Sequence, residues 1–178
     1  MSTIFNLPHT YSDRGTAKQA KHDLDGAIAD YDNAITLNPK LAAAYANRGT
    51  AKNIKGDFEG AIADYTSAIT LNPKLAAAYA NRGSAKDAQG DLDGAIADYD
   101  RAIALNPKYT DAYYNRGGTK QTKGDVDGAI ADYTQAITLN PKFAVAYKNR
   151  GLAKKAKGDL RGATADYHTY HILTHNQR

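Results

Sequence analysis

The sequence predicts an all-α solenoid of antiparallel helix pairs, and three observations predict it. The first is a 34-residue period, in which Tyr45-Ala46-Asn47-Arg48-Gly49 returns as related pentapeptides beginning at Tyr11, Tyr79, Tyr113 and Tyr147. The second is the hexapeptide Gly-Ala-Ile-Ala-Asp-Tyr, which follows each pentapeptide at constant distance, with Thr replacing Ile in the last copy. The third is Leu-Asn-Pro-Lys, which ends every copy except the last. Fixed-period repetition indicates stacked units rather than a globule around one pocket, and it favours a binding scaffold over an enzyme.

One unit, residues 41–74, shows why each half becomes a helix. Residues 42–55 are rich in alanine and other strong helix formers, which predicts the first helix. Gly56 suits the left-handed turn after that helix, and Asp57 can cap the next one by accepting a backbone N–H. From Phe58 to Leu71 apolar side chains recur at i, i+3, i+4 and i+7, which predicts a second helix with one buried stripe. Pro73 cannot continue the hydrogen-bond ladder and ends this helix.

The two helices of one unit cannot bury both of their apolar faces alone, so the units are expected to stack. Tyr45 and Tyr65 are predicted to be large core side chains whose hydroxyls reach solvent or a polar partner. Small residues such as Gly49 and Ala61 are predicted to let the helix backbones approach closely.

Composition excludes several function classes. The chain carries 23 Lys and Arg against 19 Asp and Glu, a net charge of +4 that is too mild for a dedicated nucleic-acid binder. The absence of cysteine excludes disulfides, thiolate catalysis and Cys-based zinc sites. Residues 1–10 show no signal-peptide pattern, and no stretch approaches the roughly 20 apolar residues that a membrane span needs. We therefore expect a cytoplasmic protein without membrane insertion.

Motifs for catalysis or metal binding are weak. Asp23-Leu24-Asp25-Gly26 and its copies lack the further oxygen ligands of a calcium loop, so these aspartates are interpreted as helix caps. His168, His171 and His175 share one helix, and the i, i+4 spacing of the last two could hold a metal, although surface histidines are more often without a ligand. We expect no metal, no cofactor, no catalytic residue and no enzymatic activity. An accessory domain of an enzyme is the remote alternative.

Taken together, these residues resemble the tetratricopeptide repeat (TPR) family. The resemblance rests on an aromatic, a glycine, an alanine, a second aromatic, a second alanine and a closing proline. In the second unit these are Tyr45, Gly49, Ala61, Tyr65, Ala68 and Pro73. The resemblance implies one array over residues 1–178, with repeats at about 7–40, 41–74, 75–108, 109–142 and 143–176. It also implies a right-handed superhelix whose first helices line a concave groove that holds an extended peptide or a helix.

The chain departs from the family pattern by placing bases on its first helices. Arg48 and Lys52 stand where many members carry apolar or aromatic residues, and the second helix of the same unit carries Asp64. The other copies are Arg14, Lys18 and Asp30; Arg82, Lys86 and Asp98; Arg116, Lys120 and Asp132; and Arg150, Lys154 and Asp166. We predict an internal ladder of Arg–Asp pairs between helices, and a solvated row of charges is the alternative.

The resemblance places the peptide-binding groove on first-helix residues that face away from the second helices. The candidates are Asn47, Thr50, Asn53, Asn81, Ser84, Asp87, Tyr114, Asn115, Gln121, Lys148, Asn149 and Lys155. One asparagine recurs in each of four units, and an amide can pair with any peptide backbone because it both donates and accepts. The alternative is that each amide bonds the backbone of a neighbouring helix or solvent. The flanking bases with which co-chaperone members grip a terminal carboxylate are absent.

The last unit differs from the others at the face where a further unit would stack. It replaces Leu-Asn-Pro-Lys with other residues and leaves apolar side chains that invite a partner. Tyr167, Tyr170 and Leu173 are the candidates for self-association, which is the alternative function of the chain as a structural or assembly protein. At the other end, Ile4, Phe5 and Leu7 could cover the first unit. A protein or peptide ligand and a possible homo-oligomer are the expected partners.

Overall fold

The computed structural model describes residues 7–175, and these residues form ten α-helices and no β-strand. They divide into two compact units with a boundary between Asp91 and Leu92. Each of these units comprises several helices, and one 34-residue copy is called a repeat. The first unit contains α1 (Leu7–Ala20), α2 (Leu24–Leu37), α3 (Ala42–Ile54), α4 (Phe58–Leu71) and α5 (Ala76–Ala88). The second unit contains α6 (Leu92–Leu105), α7 (Thr110–Thr122), α8 (Val126–Leu139), α9 (Ala144–Ala156) and α10 (Leu160–His175). Ile4 and Phe5, which were expected to cover the first repeat, lie outside the described residues.

Within each unit, every helix packs against the helix that follows it along the chain. The first helices also contact one another, α1 with α3 and α3 with α5 in the first unit, and α7 with α9 in the second. The first helices of each unit therefore share one layer, and the hairpin partners pack against it. The predicted fold class, an all-α repeat fold of antiparallel helix pairs, is confirmed. That all five repeats form one continuous array stays a prediction.

The turns follow the predicted chemistry. Gly56 takes a φ of +83°, and glycine occupies this left-handed position in the three later repeats with φ between 84° and 88°. Asp57 then caps α4, because its side chain accepts a hydrogen bond from the Gly60 backbone N–H at 2.9 Å. After α4, Asn72 stabilises the turn to the next helix by accepting a hydrogen bond from the Lys74 backbone N–H at 3.1 Å. Polar side chains therefore satisfy backbone donors at both ends of the second helix.

The core of each repeat is built around one tyrosine of the second helix. Tyr65 is fully buried and packs with Ala61 and with Ala85 of the next first helix. A Cβ added to Gly49 would lie 3.0 Å from the Tyr65 ring, so glycine makes room for this side chain. Tyr31, Tyr99 and Tyr133 are buried in the same way. Tyr45, by contrast, is only half-buried, and the Arg48 guanidinium carbon lies 5.6 Å from its ring centroid.

Candidate functional site

In the first unit, the candidate site includes two of the repeated asparagines. Asn47 on α3 and Asn81 on α5 lie on helices that contact each other, and both side chains are half-buried. Neither amide makes a hydrogen bond within residues 7–175. Each one therefore keeps its donor and its acceptor available at the first-helix surface.

The other candidates of the first unit differ in how far their hydrogen bonds are already formed. The Thr50 hydroxyl donates to the Ala46 carbonyl at 3.0 Å and accepts from the Tyr65 hydroxyl at 3.1 Å, so its bonds are already used inside the unit. Asn53 has a buried Oδ1 with no hydrogen-bond partner in the described part of the chain. Ser84 and Asp87 occupy the same positions one repeat later, on α5, and both are half-buried.

In the second unit, one of the two repeated asparagines is already hydrogen-bonded. Asn149 on α9 donates from Nδ2 to the Tyr114 hydroxyl of α7 at 2.9 Å. Tyr114 is packed between two rings, with centroids 5.0 Å from Phe143 and 5.8 Å from Tyr133. Asn149 is therefore bonded to a side chain of a neighbouring first helix rather than to helix backbone. The side-chain amide of Asn115, which is also half-buried, makes no hydrogen bond within residues 7–175.

The remaining candidates of the second unit are one core contact and two bases. Gln121 accepts a hydrogen bond from the Tyr133 hydroxyl at 3.1 Å, and burial together with the nearby Tyr114 raises the pKa of Tyr133 to about 12. Lys148 and Lys155 are exposed on α9. The Lys148 ammonium lies 5.8 Å from the ring centroid of Tyr170.

The predicted Arg–Asp ladder is confirmed inside both units. Arg48 binds Asp64 in a bidentate manner, from Nε to Oδ2 at 2.9 Å and from Nη2 to Oδ1 at 2.5 Å. Lys52 approaches the same carboxylate at 2.9 Å, and Asp64 is 3% exposed. Matching contacts join Arg14, Lys18 and Asp30; Arg116, Lys120 and Asp132; and Arg150, Lys154 and Asp166. These carboxylates are buried and paired, which makes them structural rather than catalytic.

Sequence reasoning missed a second set of contacts, which joins neighbouring repeats. Arg48 also donates from Nη1 to Asp32 of the preceding repeat at 2.5 Å, and Arg150 donates from Nη1 to the Thr134 hydroxyl at 3.1 Å. Lys55 forms an ion pair with Asp25 of the preceding repeat. The arginine contacts join residues 16 apart, and the lysine contact joins residues 30 apart. Because pairs with these spacings recur with the 34-residue period, the sequence contained a signal that could have predicted them.

Within residues 7–175, no element packs on the outer face of α10. Tyr167 packs on Gly151, yet it is only half-buried, whereas the four equivalent tyrosines are at most 1% exposed. Tyr170 is half-buried and its ring lies against His171, with centroids 5.6 Å apart. Leu173 is half-buried as well.

No helix among the described residues is long and apolar enough to cross a membrane. Residues 7–175 also contain no cluster of three or more His, Cys, Asp or Glu side chains placed to hold a metal ion.

Comparison with known proteins agrees with the geometry. A family model described as TPR repeat matches residues 49–86, 88–124 and 122–158. A crystal structure of MamA is 32% identical, with a TM-score of 0.83 over 89% of this chain and 93% of that one. YrrB, described as a TPR protein with an unusual peptide-binding site, is 20% identical, with a TM-score of 0.76 over 94% and 86%.

PilF of Pseudomonas aeruginosa is 15% identical, with a TM-score of 0.88 over 98% of this chain and 79% of that one. No curated protein sequence matches the chain. The family-model matches cover more than half of the chain, and they include the core tyrosines Tyr65, Tyr99 and Tyr133. This chain belongs to the tetratricopeptide repeat family, and its fold is that of a protein–protein interaction scaffold.

Proposed function

We propose that this protein is a non-enzymatic scaffold that holds an extended peptide or a helix of a partner protein against its first-helix surface. The observation that carries the proposal is the pair of unbonded amides at Asn47 and Asn81. They lie on two first helices in direct contact, at the same position of successive repeats.

The chemistry of these amides suits a peptide backbone. Each carboxamide offers two N–H donors and one carbonyl acceptor, which can bond the N–H and C=O of an extended chain whatever its side chains are. The orphaned Oδ1 of Asn53 adds an acceptor on the same helix as Asn47. A buried acceptor without a partner costs free energy, so a ligand donor that reaches it would be favoured.

The first unit is favoured over the second as the place of binding. Asn47 and Asn81 are unbonded, whereas Asn149 is already bonded to Tyr114. Within the second unit, Tyr114, Lys148 and Lys155 offer ring and ammonium contacts to ligand side chains rather than to ligand backbone. We propose no cofactor, no nucleic-acid ligand and a cytoplasmic location. The peptide-binding site named for YrrB supports a peptide ligand in a related fold.

The experiment is a screen of the full chain against a random 12-residue peptide library, followed by titration of the selected peptides. Replacing both asparagines, Asn47→Ala with Asn81→Ala, is expected to weaken binding about thirtyfold to a thousandfold, because one or two hydrogen bonds of about 1 kcal/mol each are lost at each of the two sites.

Asn33→Ala is the matched control, because Asn33 is an exposed asparagine on α2 in the same unit. It should leave affinity unchanged. If the double variant bound the selected peptides as tightly as the unmodified chain, the first-helix site would be wrong.

A second candidate function is self-association through α10, favoured by the half-exposed Tyr167. Light-scattering mass over a wide concentration range tests it, since a dimer that is lost on Tyr170→Asp would support this function. A monomer at every concentration would contradict it.

A further inference from the structure

The second helices carry acidic side chains that form ion pairs with the next first helix along the chain. At three of the four junctions within the two units, an acid near the start of the second helix pairs with a lysine at the end of the next first helix, whereas Gln89 holds the lysine's position at the α4–α5 junction. The pairs are Asp25 with Lys55, Asp93 with Lys123, and Asp127 with Lys157. A docking first helix is therefore basic at this point, and the helix that receives it is acidic.

A second receiving position lies two turns further along the same helix. There Arg48 binds Asp32 and Arg116 binds Asp100, whereas Arg150 donates to the Thr134 hydroxyl. The receiving residue is thus an acid or a neutral acceptor, and the arriving residue is always arginine.

Helix α10 carries a base at the first receiving position and a histidine at the second. Arg161 stands 34 residues after Asp127, and His168 stands 34 residues after Thr134. Both side chains are exposed. A lysine arriving in the register of the other junctions would meet the Arg161 guanidinium, and like charges at contact distance repel. The face therefore disfavours a further copy of this repeat, and equally the basic first helix of a second chain.

The first half of α10 nevertheless keeps an apolar floor. Leu160 is 64% exposed and Tyr167 is half-buried. Their counterparts on α8, Val126 and Tyr133, pack with Ala153 of the next first helix. An apolar patch that is covered in the other repeats is open here, and such patches mark interaction sites.

The second half of α10 is closed to the same mode of stacking. Tyr170 and His171 replace Ala136 and Ile137, which are buried against Ala146 at the preceding junction. A tyrosine at the alanine position keeps a partner helix from approaching this half closely. Docking is thereby confined to the first two turns of α10.

We propose that the first half of α10 docks an acidic amphipathic helix from another protein. Its apolar side chains would cover Leu160 and Tyr167, and its Asp or Glu side chains would face Arg161 and His168. At Arg161 this reverses the sign of the Asp127–Lys157 ion pair, and at His168 an imidazole N–H can donate to the acid. The surface is separate from the first-helix surface, so this inference does not depend on the proposed peptide site.

The test uses two helix-stapled, fluorescein-labelled peptides and the full chain. The basic peptide has the sequence of residues 147–158, the part of a first helix that meets the corresponding half of α8. The acidic peptide is the same sequence with all five basic residues replaced, Lys148→Glu, Arg150→Glu, Lys154→Glu, Lys155→Glu and Lys157→Glu. Fluorescence anisotropy is expected to show the acidic peptide binding about tenfold or more tightly than the basic one.

The double variant Arg161→Asp with His168→Asp should reverse the preference, and Leu160→Ser should weaken the acidic peptide. Both changes are at exposed positions, and circular dichroism checks that the chain stays folded. Lys142→Asp, an exposed charge change in the turn before α9, is the matched control and should alter nothing.

The proposal is overturned if the acidic peptide fails to bind, or if it binds the double variant as tightly as the unmodified chain. Equal binding of a scrambled acidic peptide would show charge attraction without a docked helix and would also overturn it. A dimer of the unmodified chain that Leu160→Ser abolishes would make a second copy the occupant, which again contradicts the proposal.

Discussion

His22 occupies a backbone conformation that its neighbours in the period assign to glycine. Its φ is +61°, whereas Gly56, Gly90, Gly124 and Gly158 hold the equivalent turn with φ of 83–88°. A side chain with a Cβ costs about 1–2 kcal/mol in the left-handed region. Because glycine loses more backbone entropy on folding, the net gain of His22→Gly is smaller. We expect about 0.5–1 kcal/mol of added stability, measured by urea denaturation.

The reverse change, Gly56→His, is the control for His22. It should lower stability by a similar amount, because nothing lies within 4 Å of a Cβ added at Gly56 and only the backbone conformation is tested. A His22→Gly variant no more stable than the unmodified chain would contradict this account of the turn.

Two adjacent glycines on α7 allow a comparison of packing with helix propensity. A Cβ at Gly117 would lie 3.0 Å from the buried Tyr133 ring, whereas a Cβ at Gly118 would have only the Tyr133 hydroxyl near it, at 3.8 Å. Gly117→Ala is expected to destabilise by about 1–3 kcal/mol through overpacking. Gly118→Ala is expected to stabilise by about 0.5–1 kcal/mol, because alanine is the better helix former. Thermal denaturation followed by circular dichroism separates the two outcomes, and shifts of the same sign would contradict the packing account.

At the scale of helices, the junctions of the second unit differ in one receiving residue. Between α6 and α7, Arg116 forms an ion pair with Asp100; between α8 and α9, Arg150 meets the neutral Thr134. Thr134→Asp should therefore create a second carboxylate contact for Arg150. We expect a gain of about 0.2–1 kcal/mol at low salt, because the pair is exposed and screened.

The opposite substitution, Asp100→Thr, should cost about the same free energy of unfolding, and both effects should shrink in 1 M NaCl. Urea denaturation at the two salt concentrations measures this. A Thr134→Asp variant that is less stable at low salt would contradict the role assigned to this junction.

For the whole molecule, the buried aspartates predict loss of stability in acid. Hydrogen bonds from Arg14, with help from Lys18, lower the pKa of Asp30 to about 2. Burial acts to raise the pKa of Asp166, but the bonds from Arg150 and Lys154 outweigh it and the pKa is lowered. A pKa that is lower in the folded state stabilises the fold above the unfolded pKa of about 4, and this stabilisation is lost as the pH falls towards 2.

The free energy of unfolding, measured by urea titration between pH 6 and pH 2, is therefore expected to fall with pH. An Asp30→Asn variant should be less stable at pH 6 and should show a weaker dependence on pH, because one of the titrating groups is gone. A free energy that stayed constant or rose towards pH 2 would contradict the ion-pair ladder as a source of stability.

The sequence by itself determined the helix pairs, because propensity, capping and turn chemistry are local. The second helix predicted from Phe58 to Leu71 has those bounds, and Gly56 and Asp57 form the expected turn and cap. The burial of Tyr65 and the pairing of Arg48 with Asp64 were also predictable, since both depend on a spacing that every copy repeats.

Only the tertiary structure decided which side chains are already used. Asn47 and Asn149 occupy the same position of their repeats, yet one amide is unbonded and the other bonds Tyr114, because Ser12 stands beside Asn47 where Tyr114 stands beside Asn149. Thr50 reads as a surface residue in the sequence, but it bonds the buried Tyr65. Whether the outer face of α10 is exposed likewise depends on whether another element packs against it. A hydrogen bond or a packed face depends on a neighbour distant in sequence, so these features were set by the packing of the helices.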